Sequence, residues 1–342
     1  MKIANLEVSY DLPPLIIAEI GINHGGNLAT AKRMVHAAFS AGCCVIKHQT
    51  HFVEDEMTEA AKSILPPNAD ISIWEVIENC ALSKDEEIKL KNFTESLGMI
   101  YLSTPFSRKA ADFLAEIGIP AFKIGSGESD NLPLIKHIAA IGKPIILSTG
   151  MQTIESIKKS VKILRDSYVE FALLECTNLY PSPPEIVSLK GINDLKKAFP
   201  SSLVGFSDHS IGPEMALAAV ALGACIIERH FTDTRYREGP DISCSMDPVE
   251  LKFLIDKSRE IFIARNNPKM RTDPENQVYK FARASVVADK TLSVGTKLTE
   301  KDIWVRRPGS GPIAASDYYK ILGKTLINKK ERNEYIDWSD FK

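Results

Sequence analysis

Two histidines, His209 and His230, are the first candidates for binding a metal ion. Each lies at the end of a short apolar run of the kind that forms a buried strand. Two imidazoles with open coordination positions suit a divalent cation that polarises a carbonyl group. The alternative is a pair of hydrogen-bonded histidines beside Asp208 and Glu228. Because the pattern shows no third ligand, spacing alone favours that alternative.

Two lysines, Lys47 and Lys123, are candidates for binding an anion. Both lie in apolar runs. Ser126 follows shortly after Lys123, and Ser148 ends the next apolar run along the chain. Ammonium groups, hydroxyl groups and the backbone N–H groups of a Gly-Ser-Gly turn at 125–127 would together hold a phosphate or a carboxylate. The pattern therefore predicts an anionic ligand.

Either lysine taken singly could have a different role. A structural ion pair with Glu19 or Glu128 would account for one of them, and a lone barrel lysine could instead form a Schiff base. The ion-pair alternative explains a single lysine well, but it explains less well why two lysines occur together with three hydroxyl groups. Glu19 and Glu128 are themselves acid/base candidates, because a carboxylate near an anion and a metal can orient water or move a proton. Charge balance for the lysines is the alternative role for these carboxylates.

The elements that position these residues are predicted from alternation of short apolar runs with longer amphipathic segments, which is typical of βαβ units. Eight strands are predicted, each ending in polar residues, and a (β/α)8 barrel would bring those ends to one mouth. In a doubly wound open sheet, the main alternative, the outermost strand ends would lie far apart. The predicted strands span 15–20, 45–49, 99–104, 121–126, 145–149, 171–177, 203–207 and 225–230.

The chain is predicted to have two domains. The barrel is expected to occupy 1–265, a polar segment containing Pro268 and Pro274 forms a linker at 266–280, and a second domain with short β-like runs occupies 281–342. A long connection at 52–83, which contains Pro66 and Pro67, either covers a site or forms short helices of its own. The second domain is small to stand alone, so we expect it to dock on another surface.

Composition excludes several classes of protein. The 342 residues include 42 Lys+Arg and 44 Asp+Glu, for a net charge of −2, which argues against disorder and against a nucleic-acid-coating protein. The first ten residues do not resemble a secretory signal, and the longest apolar stretch, 215–227, is too short to cross a membrane. Six cysteines without a Cys-x-x-Cys pair predict reduced, mostly buried thiols. We therefore expect a cytoplasmic protein.

Motifs distributed from about residue 14 to the carboxyl terminus resemble the bacterial sialic acid synthases. Each motif alone is weak, but their number and order make the resemblance specific. They are EIGINH (19–24), KHQTH (47–51), EDEM (54–57), STPFS (103–107), KIGSGE (123–128), STGM (148–151), TNLYP (177–181), SDH (207–209), ERHF (228–231), GPD (239–241) and RRPG (306–309).

The resemblance implies a (β/α)8 barrel with a carboxyl-terminal antifreeze-protein-like domain, in a domain-swapped homodimer. Members of this family condense phosphoenolpyruvate with an N-acylated mannosamine-type sugar and water, giving a nine-carbon 2-keto acid and phosphate. His209 and His230 would bind Mn²⁺ or Mg²⁺. Arg307 would come from the partner's small domain, and Phe281 would lie near the acyl group. The phosphoenolpyruvate contacts would be Lys47, Thr104, Lys123, Ser126, Ser148, Asn178 and Ser207, and the sugar contacts Gln49, Tyr180 and Asp241.

The identity of the sugar stays open. Three positions depart from the N-acetylneuraminate pattern: Ser129-Asp130, Glu175 and the segment 210–212. An N-acetylneuraminate synthase is the leading hypothesis, and a legionaminate synthase that uses a 2,4-diacetamido-6-deoxy hexose is the second. A non-catalytic protein that binds sugar through its small domain is the third, disfavoured because none of the expected phosphoenolpyruvate contacts is missing.

Overall fold

A short antiparallel hairpin, β1 (Lys2–Ile3) and β2 (Leu6–Glu7), begins the chain. The structure is a computed structural model that describes residues 1–66 and 70–342. It divides into two compact units, Met1–Asn266 and Asn267–Lys342. Ile3 and Val8 belong to the same apolar cluster as Ile17 and Val45 of the barrel strands. The hairpin region therefore covers apolar residues at the amino ends of these strands.

Eight parallel strands close into a barrel in the first unit. Closure is direct, because the last strand pairs with the first, from Ile226 opposite Leu15 to His230 opposite Glu19. This confirms the predicted barrel and excludes the open sheet, and each strand end lies within two residues of its predicted position. The strands are β3 (Leu15–Gly21), β4 (Val45–Thr50), β5 (Ile100–Pro105), β6 (Phe122–Ile124), β7 (Ile145–Ser148), β8 (Phe171–Cys176), β9 (Leu203–Asp208) and β10 (Ile226–His230).

Helices surround the barrel, and most of them begin at a side chain that accepts a backbone N–H. Asn27, Ser83 and Asp247 are three of these capping residues. Such caps satisfy N–H groups that have no partner inside the helix, so they fix where each helix starts. The helices are α1 (Leu28–Ser40), α2 (Val53–Glu56), α3 (Ile73–Cys80), α4 (Lys84–Ser96), α5 (Arg108–Glu116), α6 (Leu132–Ala140), α7 (Ile154–Asp166), α8 (Leu189–Ala198), α9 (Glu214–Ala221) and α10 (Pro248–Arg265).

The long connection between β4 and α4 contains α2, a 3-10 helix (Glu59–Ser63) and α3. This agrees with the prediction that the connection forms short helices of its own. Pro67, one of the two prolines noted in its sequence, lies outside the described residues. The predicted core segment 215–227 runs from α9 into β10, as its apolar composition indicates.

Nearly all residues of the barrel strands are buried, and successive residues face the barrel interior and the helices in turn. Ile17, Val45 and Leu174 fill the interior toward the amino ends, whereas alternate residues pack outward against the helices. The carboxyl ends carry the polar residues. The interior is thus apolar at one end and polar at the other.

The cysteines are free thiols, as predicted. Four of them are buried, Cys80 is half-buried and Cys44 is exposed. In the parts of the chain that the structure describes, no helix is both long and apolar enough to cross a membrane.

The second unit contains α11 (Glu275–Ala282), an antiparallel pair of strands β11 (Ser285–Ala288) and β12 (Ile303–Arg306), and two 3-10 helices (Ala315–Lys320 and Trp338–Asp340). It has a core of its own that includes Val286, Ile303 and Ile336. Helix α11 occupies part of the segment predicted as a linker. The boundaries 1–265, 266–280 and 281–342 stay predictions.

Candidate active site

A polar cavity lies at the carboxyl ends of the barrel strands, the end at which barrel enzymes place their active sites. Strands β3 to β10 all contribute to it directly or through the residues that follow them. The lining residues are Glu19, Lys47, Gln49, Thr104, Phe106, Lys123, Gly125, Ser126, Gly127, Ser148, Cys176, Asn178, Tyr180, Ser207, His209, Glu228 and His230. Most of the predicted site residues are therefore brought together.

Lys47 on β4 forms an ion pair with Glu19 on the adjacent β3. Lys47 Nζ donates to Glu19 Oε1 at 2.5 Å and to Thr104 Oγ1 at 3.1 Å. Burial alone would raise the pKa of Glu19, but the charges of Lys47, His230 and Lys123 hold it below its usual range. The ion pair considered as an alternative for one lysine is thus present, inside the cavity.

Lys123 on β6 faces Glu228 on β10, a residue that the sequence pattern marks only as a neighbour of the histidines. Lys123 Nζ lies 3.2 Å from Glu228 Oε1, and Lys47 Nζ lies 3.9 Å from Glu228 Oε2. The hydroxyl of Ser207 donates to Glu228 at 3.0 Å. Glu228 therefore holds both ammonium groups near one another. The period of two along β10, which places Glu228 and His230 on one face, was the signal available in the sequence.

The hydroxyl groups around the lysines have different partners. Ser126 Oγ accepts a hydrogen bond from the backbone N–H of Gly150 at 3.0 Å. The hydroxyl of Ser148 is buried and has no hydrogen-bond partner among the described residues. A Cβ atom at Gly150 would come within 2.3 Å of Asn178 Oδ1, so glycine is required for this close approach. An unsatisfied buried hydroxyl beside two ammonium groups fits a site for an anion.

His209 and His230 lie side by side, with ring centroids 5.4 Å apart. His209 Nδ1 lies 2.8 Å from the carbonyl oxygen of Thr177, which leaves Nε2 for another ligand. Burial and the neighbouring His230 lower the pKa of His209 to about 3. His230 lies 3.6 Å from both Glu19 Oε2 and Asp241 Oδ2. The site therefore brings two imidazoles together, with a carboxylate on either side of His230.

These residues fit a divalent cation that keeps open coordination positions. The Thr177 carbonyl orients the His209 ring in the manner of outer-shell partners of metal-binding histidines. Nδ1 of His230 is buried without a hydrogen-bond partner in the described parts of the chain. Across residues 1–66 and 70–342, no three His, Cys, Asp or Glu side chains are grouped closely enough to enclose an ion by themselves. A cation here would complete its coordination with substrate or water.

Tyr180 packs against both histidines, and Asp241 lies beside His230. The Tyr180 ring lies 4.1 Å from His209 and 5.7 Å from His230, measured between centroids. Burial raises the pKa of Asp241 above its usual range. Gln49 Nε2 donates to Glu19 at 2.9 Å.

Three predicted site residues lie elsewhere. Glu128 lines a neighbouring cavity, where its carboxylate accepts from Asn131 at 2.5 Å, and burial raises its pKa. Phe106 lines both cavities and forms the wall they share. Phe281 lies in α11 and Arg307 follows β12, both in the second unit. The roles of these three residues stay predictions.

Comparison with known proteins identifies the family. Residues 34–269 match the NeuB family, and residues 283–342 match the SAF domain. The chain belongs to the NeuB family. The match covers more than half of the chain, and it spans seven of the eight strands that build the cavity.

Several relatives of this NeuB-family chain are named as synthases of legionaminic acid, pseudaminic acid or N-acetylneuraminate 9-phosphate. It is 37% identical to N,N'-diacetyllegionaminic acid synthase of Campylobacter jejuni, over 94% of this chain and 98% of that protein. It is 32% identical to N-acetylneuraminate-9-phosphate synthase of Homo sapiens, over 95% of this chain and 91% of that protein. The structure of sialic acid synthetase from Leptospira borgpetersenii matches with a TM-score of 0.75 and 30% identity, over 81% of this chain and 94% of that one.

Three cavity residues, Glu228, Phe106 and Cys176, are not assigned to the site by the sequence pattern. Burial raises the pKa of the Cys176 thiol to about 12, so this residue is a neutral wall and not a nucleophile. Phe106 follows the polar end of β5. An aromatic residue there could belong to the core as easily as to the cavity, so its type does not assign it. Their position in the cavity depends on neighbouring strands that a local pattern does not specify.

Proposed function

We propose that this chain condenses phosphoenolpyruvate with an N-acylated mannosamine-type sugar and water to give a nine-carbon 2-keto acid and phosphate. The observation that carries the proposal is the cavity with two buried ammonium groups, Lys47 and Lys123, beside the unsatisfied hydroxyl of Ser148. Membership of the NeuB family and the names of the relatives support it. The enzyme would thus be a transferase that forms a carbon–carbon bond.

Phosphoenolpyruvate would bind among the lysines and hydroxyl groups. Lys47 and Lys123 offset its negative charge, and the ammonium–anion contacts gain strength because the site is buried. Thr104, Ser126, Ser148 and Asn178 lie around the same space and offer hydroxyl and amide groups, and Ser207 beside them donates to Glu228. Together they hold the enol carbon in position for attack on the sugar.

His209 and His230 are the proposed ligands of a divalent cation, Mn²⁺ or Mg²⁺. When bound, such a cation supplies Lewis-acid polarisation of the sugar carbonyl. The two imidazoles fix where the aldehyde end of the sugar must lie. That end therefore faces the enol carbon held above Lys47 and Lys123.

Bond formation between the enol carbon and the sugar aldehyde carbon leaves positive charge at C2 of the former enol. Water adds to C2 and loses a proton, and the C–O bond to the phosphate then breaks, which releases inorganic phosphate and leaves the 2-keto group. Glu19 is the proposed residue for orienting the water, whereas Glu128, the other carboxylate considered for this role, lines the neighbouring cavity. The ionised Glu19 carboxylate beside Lys47 can accept a hydrogen bond from this water and orient it.

The other end of the sugar would contact Gln49, Tyr180 and Asp241. N-acetylmannosamine is the first candidate, giving N-acetylneuraminate. A 2,4-diacetamido-6-deoxy hexose, giving legionaminate, is the second. Two relatives named N,N'-diacetyllegionaminic acid synthase, at 37% and 33% identity, favour this second candidate.

We further propose a domain-swapped homodimer in the cytoplasm. Arg307, which follows β12, would enter the partner's cavity, and Phe281, which is 61% exposed, would lie near the acyl group of the sugar. The resemblance of the RRPG segment to the sialic acid synthases supports this arrangement.

The test is phosphate release from phosphoenolpyruvate by enzyme stripped with chelator and resupplied with Mn²⁺ or Mg²⁺. N-acetylmannosamine and the 2,4-diacetamido-6-deoxy hexose are offered side by side. We expect release that depends on sugar and metal, and its loss in His230→Ala. Preference for one sugar assigns the product, whereas no release with either sugar would contradict the proposed reaction.

A further inference from the structure

A chain of hydrogen bonds leads from Glu19 in the cavity to Glu56 on α2. Gln49 Nε2 donates to Glu19, and Gln49 Oε1 lies 3.2 Å from His51 Nε2. The other ring nitrogen, His51 Nδ1, lies 3.0 and 3.1 Å from the two carboxylate oxygens of Glu56. The side chains of His51 and Glu56 are only 3% and 7% exposed. His51 and Glu56, which do not line the cavity, are thus connected through Gln49 to a carboxylate that does.

The hydrogen-bonding capacities of these groups fix the direction of the chain. Glu19 is a carboxylate paired with the Lys47 ammonium, so it can only accept, and the NH₂ group of Gln49 must face it. Gln49 then presents its oxygen to His51, which requires a proton on Nε2. The Glu56 carboxylate at the other side requires a proton on Nδ1. With an ionised Glu56 as its counterion, the His51 ring would therefore be an imidazolium.

Packing holds this histidine in place. Its ring stacks on Phe106 with centroids 4.4 Å apart and planes 16° apart. Helix α2 is attached to the start of α5 through Asp55, which accepts from the backbone N–H of Lys109 at 3.1 Å and lies 3.2 Å from Lys109 Nζ. Glu56 is therefore presented to His51 from a segment that is itself anchored.

We propose that His51 and Glu56 are positioning residues that orient the Gln49 carboxamide. With one N–H of Gln49 on Glu19, the second N–H is left as a donor for the sugar substrate. Turning the amide over would place its oxygen against the Glu19 carboxylate and remove that donor. The assignment of the ligand as a sugar rests on the proposed function, whereas the orientation of the amide does not.

Glu56→Gln is the sharpest variant, because it keeps the size of the side chain and removes the charge that requires an imidazolium. A neutral His51 that keeps its proton on Nδ1 presents a lone pair at Nε2 to the Gln49 oxygen, so this hydrogen bond is lost and the amide is held by Glu19 alone. We expect the KM for the accepted sugar to rise about three- to tenfold, the range for loss of one hydrogen bond. The KM for phosphoenolpyruvate should stay within about twofold, because its contacts are separate.

Two other variants serve as controls. Glu54→Gln carries the same change on the same helix at an exposed position, and we expect it to match the wild type. Glu56→Asp keeps the negative charge and should recover part of the sugar affinity. Equal loss of affinity for both substrates in Glu56→Gln, or an unchanged KM for the sugar, would overturn the positioning role.

A second measurement does not depend on turnover. The chain has 7 histidines, and ¹⁵N-histidine NMR can assign the His51 ring by its loss in His51→Gln. We expect protons on both ring nitrogens in the wild type and on one in Glu56→Gln. A neutral His51 ring in the wild type would refute the inference even if the enzyme makes a nine-carbon acid. Failure of both sugars would instead refute the proposed function, and the NMR result would still decide the orientation.

Discussion

Ser148 and Ser160 are both buried serines, and they use their hydroxyl groups in opposite ways. Ser160 on α7 donates to the carbonyl oxygen of Ser129 at 2.6 Å. Ser148 on β7 has no partner among the described residues and lies in the cavity. A hydroxyl that is buried without a partner costs folding free energy, so its retention points to a ligand.

Replacing Ser148 with Ala should therefore separate binding from stability. We expect the KM for phosphoenolpyruvate to rise about three- to tenfold, while the thermal unfolding midpoint is unchanged or higher. Ser160→Ala is the matched control and should lose about 1 to 2 kcal/mol of unfolding free energy with an unchanged KM. Steady-state kinetics and calorimetry on the two variants measure this, and a destabilised Ser148→Ala would argue that the hydroxyl is structural.

Glu175 on β8 makes the folding free energy depend on pH. Burial and the nearby Asp194 raise its pKa to about 7. Its carboxyl packs so closely on α8 that a Cβ at Gly191 would come within 2.4 Å of it. Because the unfolded pKa is about 4.3, the folded state holds this proton more tightly, and the resulting stability is lost as pH rises from about 4.3 to about 7.

Glu175→Gln removes that dependence. We expect the variant to gain on the order of 2 kcal/mol over the wild type between about pH 5 and about pH 8, measured by urea unfolding at each pH. Glu185→Gln, at an exposed position, should show no such trend. If the difference in unfolding free energy between the variant and the wild type is the same at both pH values, Glu175 has an ordinary pKa.

At the scale of the elements, β9 packs closely against β8 and β10 at a glycine, Gly205. A Cβ at Gly205 would lie 2.5 Å from the carbonyl oxygen of Ile226 and 2.6 Å from Leu174. Gly205→Ala should therefore destabilise the barrel by about 1 to 3 kcal/mol, the usual cost of overpacking. Gly127→Ala meets nothing within 4 Å and should leave the unfolding free energy unchanged. Denaturant unfolding of both variants tests whether the β9–β10 contact limits stability.

The strands could be predicted from the sequence because burial makes each one an apolar run that ends in polar residues. The lysines and histidines of the cavity follow from the same pattern, since their positions on a strand determine their side. The period of two along β10 places Glu228 on the same side as His230, but its contacts could not be predicted because the two lysines come from β4 and β6. Helix α11 could not be told from a linker, because it is short and none of its residues is buried.

At the scale of the whole molecule, each unit has its own apolar core. The barrel unit contains the cavity, whereas Arg307 belongs to the second unit. A homodimer that exchanges second units would make each cavity depend on two chains. This dependence can be measured even when each chain alone is inactive.

Mixing His209→Ala chains with Arg307→Ala chains tests the exchange. In a mixed dimer, the intact barrel of one chain would receive the intact Arg307 of the other, so one of two cavities is complete. After full exchange we expect about a quarter of the wild-type rate from two inactive parents. Sedimentation must show dimers and labelled chains must show exchange, and an inactive mixture under those conditions would refute the shared site.

The alternation along β4 also bears on how such a barrel diversifies. Lys47 and Gln49 line the cavity, whereas Thr50 donates to Glu87 on α4 at 2.6 Å and His48 lies 3.4 Å from the same carboxylate. One strand thus carries two sets of residues, one that faces the cavity and one that faces α4. A substitution in the cavity-facing set can therefore alter what the site binds while the outward set still holds β4 against α4.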